Sequence, residues 1–269
     1  MTKGAQWTMG LVCLVAAGWA GQVQASEKLR VMSLDQCADQ FVLALVPDAE
    51  LRLSPRADDP DAYLRSQGAA HRKIRPSLEA AVGFKPDVVV RYWGGDAPLL
   101  RRLEQDDVLV TTIDDSHDFS GIQITIRRLS ADLQVPERGE VMIQRMDATL
   151  RDAKEAGQGR RATYITASGF TAGKDTLIDS ILKAAGFENA AQRVGYQPLG
   201  LEALVMRPPM LFIRGFFEQM LMDWRGVGRH PVLRPMMTQG RVLDLPASTL
   251  TCPGWFAADA ALKLAEEAR

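Results

Sequence analysis

Short apolar runs alternate with helical patterns along most of the chain. Val88–Val90 is a continuous β-branched run, which is typical of a strand in a sheet that is covered on both faces. Asp118–Leu133 instead places Ile122, Ile126 and Leu129 on one helical face. This alternation predicts βα units that build parallel sheets. The predicted strands are Arg30–Leu34, Leu51–Ser54, Asp87–Tyr92, Val108–Ile113, Ala162–Thr166, Met210–Arg214 and Arg241–Leu245.

The middle of the chain contains no strand pattern. Pro136 suits the first position of a helix, and Met142, Met146 and Leu150 recur at helical spacing until a Gly-Gln-Gly stop at residues 157–159. A helix of about 20 residues is about 30 Å long, the width of a small lobe. The pattern therefore predicts an α/β fold with two βα lobes joined by a single long α-helix. The boundaries are an N-terminal lobe at 26–135, an inter-lobe helix at 136–157 and a C-terminal lobe at 158–269.

The first 25 residues have the pattern of a targeting segment. A single charge, Lys3, precedes the apolar run Met9–Ala20, and Val23 and Ala25 form a small-residue cleavage pattern. The alternative is a membrane anchor, but a run of about 12 apolar residues is shorter than the 20 or so that a bilayer requires. We therefore expect residues 1–25 to be a cleavable signal peptide that exports a periplasmic protein.

Charge and motif content exclude several classes of protein. Lys and Arg total 32 against 33 Asp and Glu, without a basic run, so we expect no nucleic-acid partner. The three histidines show no metal-ligand spacing, and no serine lies in a nucleophile elbow. We therefore expect a monomeric binding protein, not an enzyme, with no cofactor and no resident metal.

Two cysteines, Cys37 and Cys252, lie near opposite ends of the chain that follows the predicted signal peptide. They have three interpretations: a disulfide, a soft-metal site in a cleft, or two unrelated buried thiols. An oxidising compartment favours the disulfide, which would stabilise the fold by restricting the unfolded chain. The sequence leaves all three interpretations open.

Each predicted lobe contains a similar stretch, at Ser77–Val90 and at Leu199–Ile213. Each stretch is a short helix with a glutamate, Glu79 or Glu202, followed by proline and a buried strand. With this pattern of helix, proline and strand in each lobe, the chain resembles the periplasmic substrate-binding proteins of ABC importers for iron-siderophores, haem and cobalamin. The stretches that support the resemblance are Arg30–Leu34, Leu78–Gly95, Phe170–Asp175 and Gly186–Asn189.

The resemblance implies a class III periplasmic binding protein with its ligand in the cleft between the lobes. The ligand would be a metal chelate or corrinoid, such as cobalamin, a ferric siderophore or haem, delivered to an ABC permease. The family also uses one acidic residue on each lobe to dock onto the permease, which assigns that role to Glu79 and Glu202. The alternatives are an exported enzyme that acts on a chelated metal or tetrapyrrole, and a ligand sensor without transport.

Candidate ligand-binding residues follow the predicted strands of both lobes. In open α/β sheets, ligands bind beyond the carboxyl ends of the strands. Aromatic rings there would stack on a flat macrocycle, and arginines would hold anionic groups in bidentate fashion. The alternative is that the rings only pack within their loops and that the arginines are solvated surface charges. The candidates are Asp35, Gln36, Arg56, Tyr92, Trp93, Phe170, Arg214, Phe216 and Trp255.

Overall fold

A four-stranded parallel sheet forms the core of the N-terminal lobe. The computed structural model describes residues 28–218 and 225–268, so the predicted signal peptide lies outside the described residues. The strands are β1 (Arg30–Ser33), β2 (Glu50–Arg52), β3 (Val88–Arg91) and β4 (Leu109–Thr112), in the order β2-β1-β3-β4. The helices are α1 (Gln36–Leu45), α2 (Arg65–Ala69), α3 (Leu78–Phe84), α4 (Ala97–Gln105) and α5 (Phe119–Asp132).

The connecting helix α6 spans Pro136–Ala153 and ends four residues before the predicted boundary at 157. The chain turns here because Gly157 packs against the backbone of Gly186, where a Cβ atom would lie 2.6 Å from the Gly186 carbonyl carbon. The Gly157 N–H also donates to the Ala185 carbonyl at 2.8 Å. This tertiary contact begins the second lobe.

A second parallel sheet forms the core of the C-terminal lobe. Its strands are β5 (Arg161–Thr166), β7 (Glu188–Asn189), β9 (Leu211–Gly215) and β10 (Arg241–Leu245), in the order β10-β9-β5-β7. A separate antiparallel pair joins β6 (Phe170–Ala172) to β8 (Tyr196–Pro198). The helices are α7 (Leu177–Ala184), α8 (Leu201–Met206), α9 (Leu233–Gln239) and α10 (Ala257–Ala268). None of the helices in the described ranges combines the length and apolar composition needed to cross a bilayer.

One apolar core runs through both lobes. Helix α10 packs against α6, α7 and β10, so the last helix of the chain contacts the connecting helix directly. Fully buried side chains from both lobes join the same cluster, including Phe41, Val90, Ile126, Met146, Tyr164, Leu182 and Leu264. The predicted α/β architecture of two lobes joined by one helix is confirmed.

The lobes are also joined covalently by a disulfide between Cys37 and Cys252, whose Cα atoms are 5.5 Å apart. This confirms the first of the three interpretations of the cysteines. Cys37 lies on α1 of the N-terminal lobe, and Cys252 precedes α10 of the C-terminal lobe. The Tyr63 hydroxyl donates to Asp259 beside this link. Residues 250–259 thus form a second connection between the lobes.

Asp39 is a fully buried carboxylic acid inside the N-terminal lobe. Its oxygens accept hydrogen bonds from the Ser33 hydroxyl, the Ser54 N–H at 2.8 Å and the Ser54 hydroxyl at 2.5 Å. Burial raises the pKa of Asp39 from 3.8 to about 7, against the opposing effect of these hydrogen bonds. Between pH 3.8 and about 7, the folded protein therefore retains a proton on Asp39 that the unfolded chain releases.

This difference predicts a pH dependence of stability that Asp39→Asn should remove. Because the folded-state pKa is raised, the contribution of Asp39 is fully present below pH 3.8 and is lost as the pH rises through about 7. The free energy of unfolding of the wild type, measured with urea, should therefore fall as the pH rises over this range. In Asp39→Asn it should change much less with pH. Asp118→Asn is the control. Hydrogen bonds from Gly121 and Ser120 lower the pKa of Asp118, so this carboxyl causes no loss of stability as the pH rises. If the free energy of unfolding of Asp39→Asn fell with pH as steeply as that of the wild type, the prediction would be contradicted.

Candidate functional site

A cavity of about 360 Å³ lies between the lobes, beyond the carboxyl ends of β3 and β4. This volume is within the range of small-molecule sites. The N-terminal lobe contributes Tyr92 and residues 115–117, and the C-terminal lobe contributes 175–177 and 194–196. Residues 250–253, which include the disulfide-bonded Cys252, line it as well. Both lobes therefore form its walls.

Two tyrosines from opposite lobes line this cavity near one carboxylate. The Tyr92 hydroxyl donates to Asp115 Oδ1 at 2.9 Å, and Tyr196 lies on β8. Burial, together with the hydrogen bond to Asp115 and its charge, raises the pKa of Tyr92. Partial burial and the charge of Asp115 also raise the pKa of Tyr196, although 64% of this residue is exposed. Both phenols are therefore neutral hydrogen-bond donors at neutral pH.

The loop that carries Tyr92 is held in place by Asp35. Asp35 Oδ2 accepts the backbone N–H groups of Tyr92, Trp93 and Gly94 at 2.7, 3.1 and 2.9 Å. Its Oδ1 accepts the Ala38 N–H at 3.0 Å and so caps α1. Gly94 is required because a Cβ atom there would lie 2.4 Å from the Leu34 carbonyl oxygen. This network fixes the backbone of the Tyr92 loop against the start of α1.

The structure therefore corrects the expectation that Asp35 and Gln36 contact the ligand. Asp35 is only 1% exposed, and its oxygens are occupied by four backbone donors. Gln36 is also buried, and its amide nitrogen donates to Asp61 Oδ1 at 2.9 Å. Asp35 positions the Tyr92 loop, and Gln36 links α1 to the segment that follows β2.

The two predicted arginines pair with carboxylates and do not line the cavity. Arg56 Nε donates to Asp59 at 2.7 Å. Arg214 forms a bidentate pair with Asp244, at 2.7 and 2.6 Å. The hydrogen bond to Asp244 raises the pKa of Arg214. Neither guanidinium is placed to hold an anionic ligand in this cavity.

Of the predicted aromatic residues, the structure places only Tyr92 on the cavity wall. Trp93 and Phe170 are exposed outside it, and Phe216 follows β9 in the left-handed region at φ 62°. Trp255 packs edge-on against Phe41 at 5.3 Å, as well as against Tyr63 and Phe256. Trp255 therefore packs at the junction between the lobes, away from the predicted stacking position.

Tyr196 is the cavity residue that sequence reasoning missed. Its strand, β8, has only three residues and pairs with the equally short β6, so neither produces a clear strand pattern. A signal was nevertheless present, because Gly195 and Tyr196 lie only a few residues before the Leu199–Ile213 stretch. His117 also lines the cavity, although the spacing of the three histidines along the sequence gives no indication of a site. Among the described residues, no group of three or more His, Cys, Asp or Glu side chains is arranged to hold a metal ion.

Comparison with known proteins identifies the family. The family model described as periplasmic binding protein matches residues 40–224. The chain belongs to this family. A vitamin B12-binding protein from Salmonella typhimurium is 28% identical over 145 residues, which cover 51% of this chain and 54% of that relative. The chain thus matches only about half the length of this curated relative.

Solved structures of similar proteins share the class III periplasmic binding protein fold. The periplasmic heme-binding protein RhuT from Roseiflexus sp. RS-1 has a TM-score of 0.69 at 20% identity, with 90% of this chain and all of that chain covered. The periplasmic vitamin B12 binding protein BtuF of Vibrio cholerae has a TM-score of 0.64 at 18% identity, with coverages of 90% and 97%. At these identities the similarity establishes the fold.

The two predicted docking glutamates lie on matching helices of this periplasmic binding protein fold. Glu79 is on α3 and Glu202 is on α8, and both are exposed. Three residues later, each helix exposes a valine, Val82 or Val205. A hydrogen bond from its own N–H and one from the Ser77 hydroxyl lower the pKa of Glu79. Each lobe therefore presents a glutamate beside an apolar side chain.

Proposed function

We propose that this protein is the solute-binding component of an ABC importer. It is exported to the periplasm by its signal peptide, and it binds a metal chelate or corrinoid reversibly in the inter-lobe cavity. It then delivers this ligand to a membrane permease. The observation that carries the proposal is the pair of tyrosines, Tyr92 and Tyr196, that opposite lobes of a periplasmic binding protein fold place near Asp115.

The chemistry of the cavity supports a metal chelate as ligand. The rings of Tyr92 and Tyr196 offer flat faces for stacking, and their hydroxyl groups can donate hydrogen bonds to polar groups of a chelate. Val194, Leu250 and Pro253 add apolar surface. The relatives named for vitamin B12 and heme are consistent with cobalamin, haem or a ferric siderophore.

The enzyme alternative needs an acid or base with a free carboxyl group at the cleft, where the strand ends carry Asp35, Asp114 and Asp115. Asp35 is occupied by backbone donors, and Asp114 pairs with Arg128 at 2.8 Å. Asp115 remains on the cavity wall, where it accepts the Tyr92 hydroxyl. Recovery of the bound ligand in unchanged form would separate a binding protein from an enzyme.

A ligand titration tests the proposal directly. The protein is titrated with cyanocobalamin, haemin and a panel of ferric siderophores, and tryptophan fluorescence and ligand absorbance are followed. We expect saturable micromolar or tighter binding of one ligand, weakened about tenfold by Tyr92→Ala or Tyr196→Ala through lost ring contacts. Arg56→Ser, outside the cavity, is the control. Flat titrations by the folded protein would refute this ligand class.

Charge reversal tests delivery to the permease. Glu79→Arg together with Glu202→Arg should leave ligand affinity unchanged, because neither residue lines the cavity. Uptake by cells or by permease vesicles should be lost, because matched charges guide such encounters. The control Glu137→Arg lies on the connecting helix α6. Full uptake by the double variant would contradict the docking role, and a sensor without transport would show no uptake even in the wild type.

A further inference from the structure

A second groove, of about 670 Å³, lies at the amino-terminal edge of the C-terminal sheet, at the opposite end of its strands from the cleft. Four arginines line it, namely Arg160, Arg161, Arg207 and Arg241. Pro208, Pro209, Met210 and Leu211 form an apolar side. No aspartate or glutamate is among the described lining residues. The groove therefore combines strong positive charge with apolar surface.

The strand register places three of these arginines around one point of the sheet edge. Arg241 begins β10 and lies beside Leu211, the first residue of β9. Arg161 begins β5, the strand on the other side of β9. Neighbouring strands are about 4.8 Å apart, so the backbones of Arg161 and Arg241 are separated by roughly 10 Å. Arg207 lies in the segment that joins α8 to β9, the strand between β5 and β10.

Structural roles account for only part of this charge. Arg160 donates to the carbonyls of residues 156, 157 and 268, so it closes helix ends. Arg241 uses one Nη for the Glu267 carbonyl at the end of α10. Arg161 has only distant partners, the Ala190 carbonyl at 3.4 Å and Glu188 at 3.8 Å. Arg207 has no hydrogen bond or ion pair with any described residue. Arg161 and Arg207 therefore retain donors for an external anion.

Two protruding methionines adjoin these free donors. Met206 ends α8 and is 81% exposed, and Met210 lies on the groove wall and is 88% exposed. Exposed apolar surface rimmed by polar residues is typical of interaction sites. Guanidinium groups match phosphate geometry, and the methionines suit the apolar region below a lipid headgroup. This combination favours an amphiphilic anion over a small soluble one.

We propose that this groove binds the phosphate headgroups of anionic phospholipids and holds the C-terminal lobe against a membrane surface. Arg161, Arg207 and Arg241 contact the phosphate, and Met206 and Met210 enter the interface between headgroups and acyl chains. The inference concerns a surface separate from the inter-lobe cavity, so it stands independently of the cleft ligand.

Vesicle co-sedimentation tests this surface. The protein is mixed with phosphatidylcholine vesicles, with and without phosphatidylglycerol. We expect binding only to the anionic vesicles, with weaker binding as salt is added. Arg161→Ser together with Arg207→Ser should reduce the affinity about fivefold for each arginine removed. Met206→Ser together with Met210→Ser should also reduce it, although the charge is unchanged.

The matched control is Arg145→Ser together with Arg151→Ser, which removes two exposed charges from α6. This control should bind as the wild type does. An equal loss in the control, or no vesicle binding by the wild type, would overturn the proposal. Saturation by glycerol 3-phosphate with no further binding to vesicles would identify a soluble phosphate as the occupant and would also overturn it.

Discussion

Replacing Asp35 with alanine is expected to lower the free energy of unfolding by about 3 to 4 kcal/mol, because four buried or partly buried N–H groups lose their acceptor. These donors belong to Ala38 at the start of α1 and to residues 92–94. The Tyr92 loop should then lose its fixed conformation. We therefore also expect ligand binding to weaken about tenfold or more, because the ring is no longer preorganised.

Two further variants distinguish loop positioning from general destabilisation. Asp96→Ala removes the cap of α4, which accepts the Leu99 N–H, and should cost only about 1 kcal/mol. Asp35→Asn preserves the shape of the side chain but replaces one acceptor oxygen with a donor. Its losses of stability and of ligand affinity should therefore be closer to those of Asp35→Ala than to those of Asp96→Ala. Urea unfolding and ligand titration measure both effects. If Asp35→Ala and Asp96→Ala lost equal stability and both bound ligand normally, the positioning role would be refuted.

Removing the disulfide should have the largest effect on stability. Cys37 and Cys252 are 215 residues apart, so their link restricts almost the entire described chain. In the chain-entropy model, a loop of this size stabilises the fold by roughly 5 kcal/mol. Cys37→Ser together with Cys252→Ser should therefore unfold at a much lower urea concentration than the oxidised wild type. The cleft should be affected too, because Cys252 lines it.

Reduction provides the control for this prediction. The reduced wild type and the double serine variant should have similar stabilities, because both lack the cross-link. Tyr63→Phe removes only the hydrogen bond to Asp259 across the same junction and should cost about 1 kcal/mol. If the oxidised wild type and the double variant unfolded at the same urea concentration, the disulfide would have no role in holding the lobes together.

Elements such as β3 and α5 were predictable because the hydrophobic pattern that specifies each one lies within its own residues. The β-branched run of β3 and the one-sided apolar face of α5 each specify their own conformation. Strands β6 and β8 have three residues each, and each becomes a strand by pairing with the other. Sequence periodicity does not contain that pairing, and Tyr196 was missed for this reason.

Assigning side chains to the site depended on distant neighbours. Tyr92 was predicted as a cleft residue because it ends a buried strand, and the structure places it on the cavity wall. Arg214 is the next-to-last residue of β9 in the other lobe, but the neighbouring strand β10 supplies Asp244 as its partner. Trp255 packs with Phe41, which is more than 200 residues away. The position of a residue at a strand end therefore indicates proximity to the cleft, without indicating its partner.

The sequence by itself determined the two βα lobes, the helix that joins them and the resemblance to periplasmic binding proteins. These features follow from local hydrophobic patterns and ordered motifs, which are properties of contiguous residues. Only the tertiary structure decided that Cys37 bonds to Cys252, that Asp35 holds the Tyr92 loop, and that Tyr196 faces the cavity. Each of these depends on atoms brought within a few ångströms by packing between distant segments, because polar and sulfur contacts require specific partners at bonding distance.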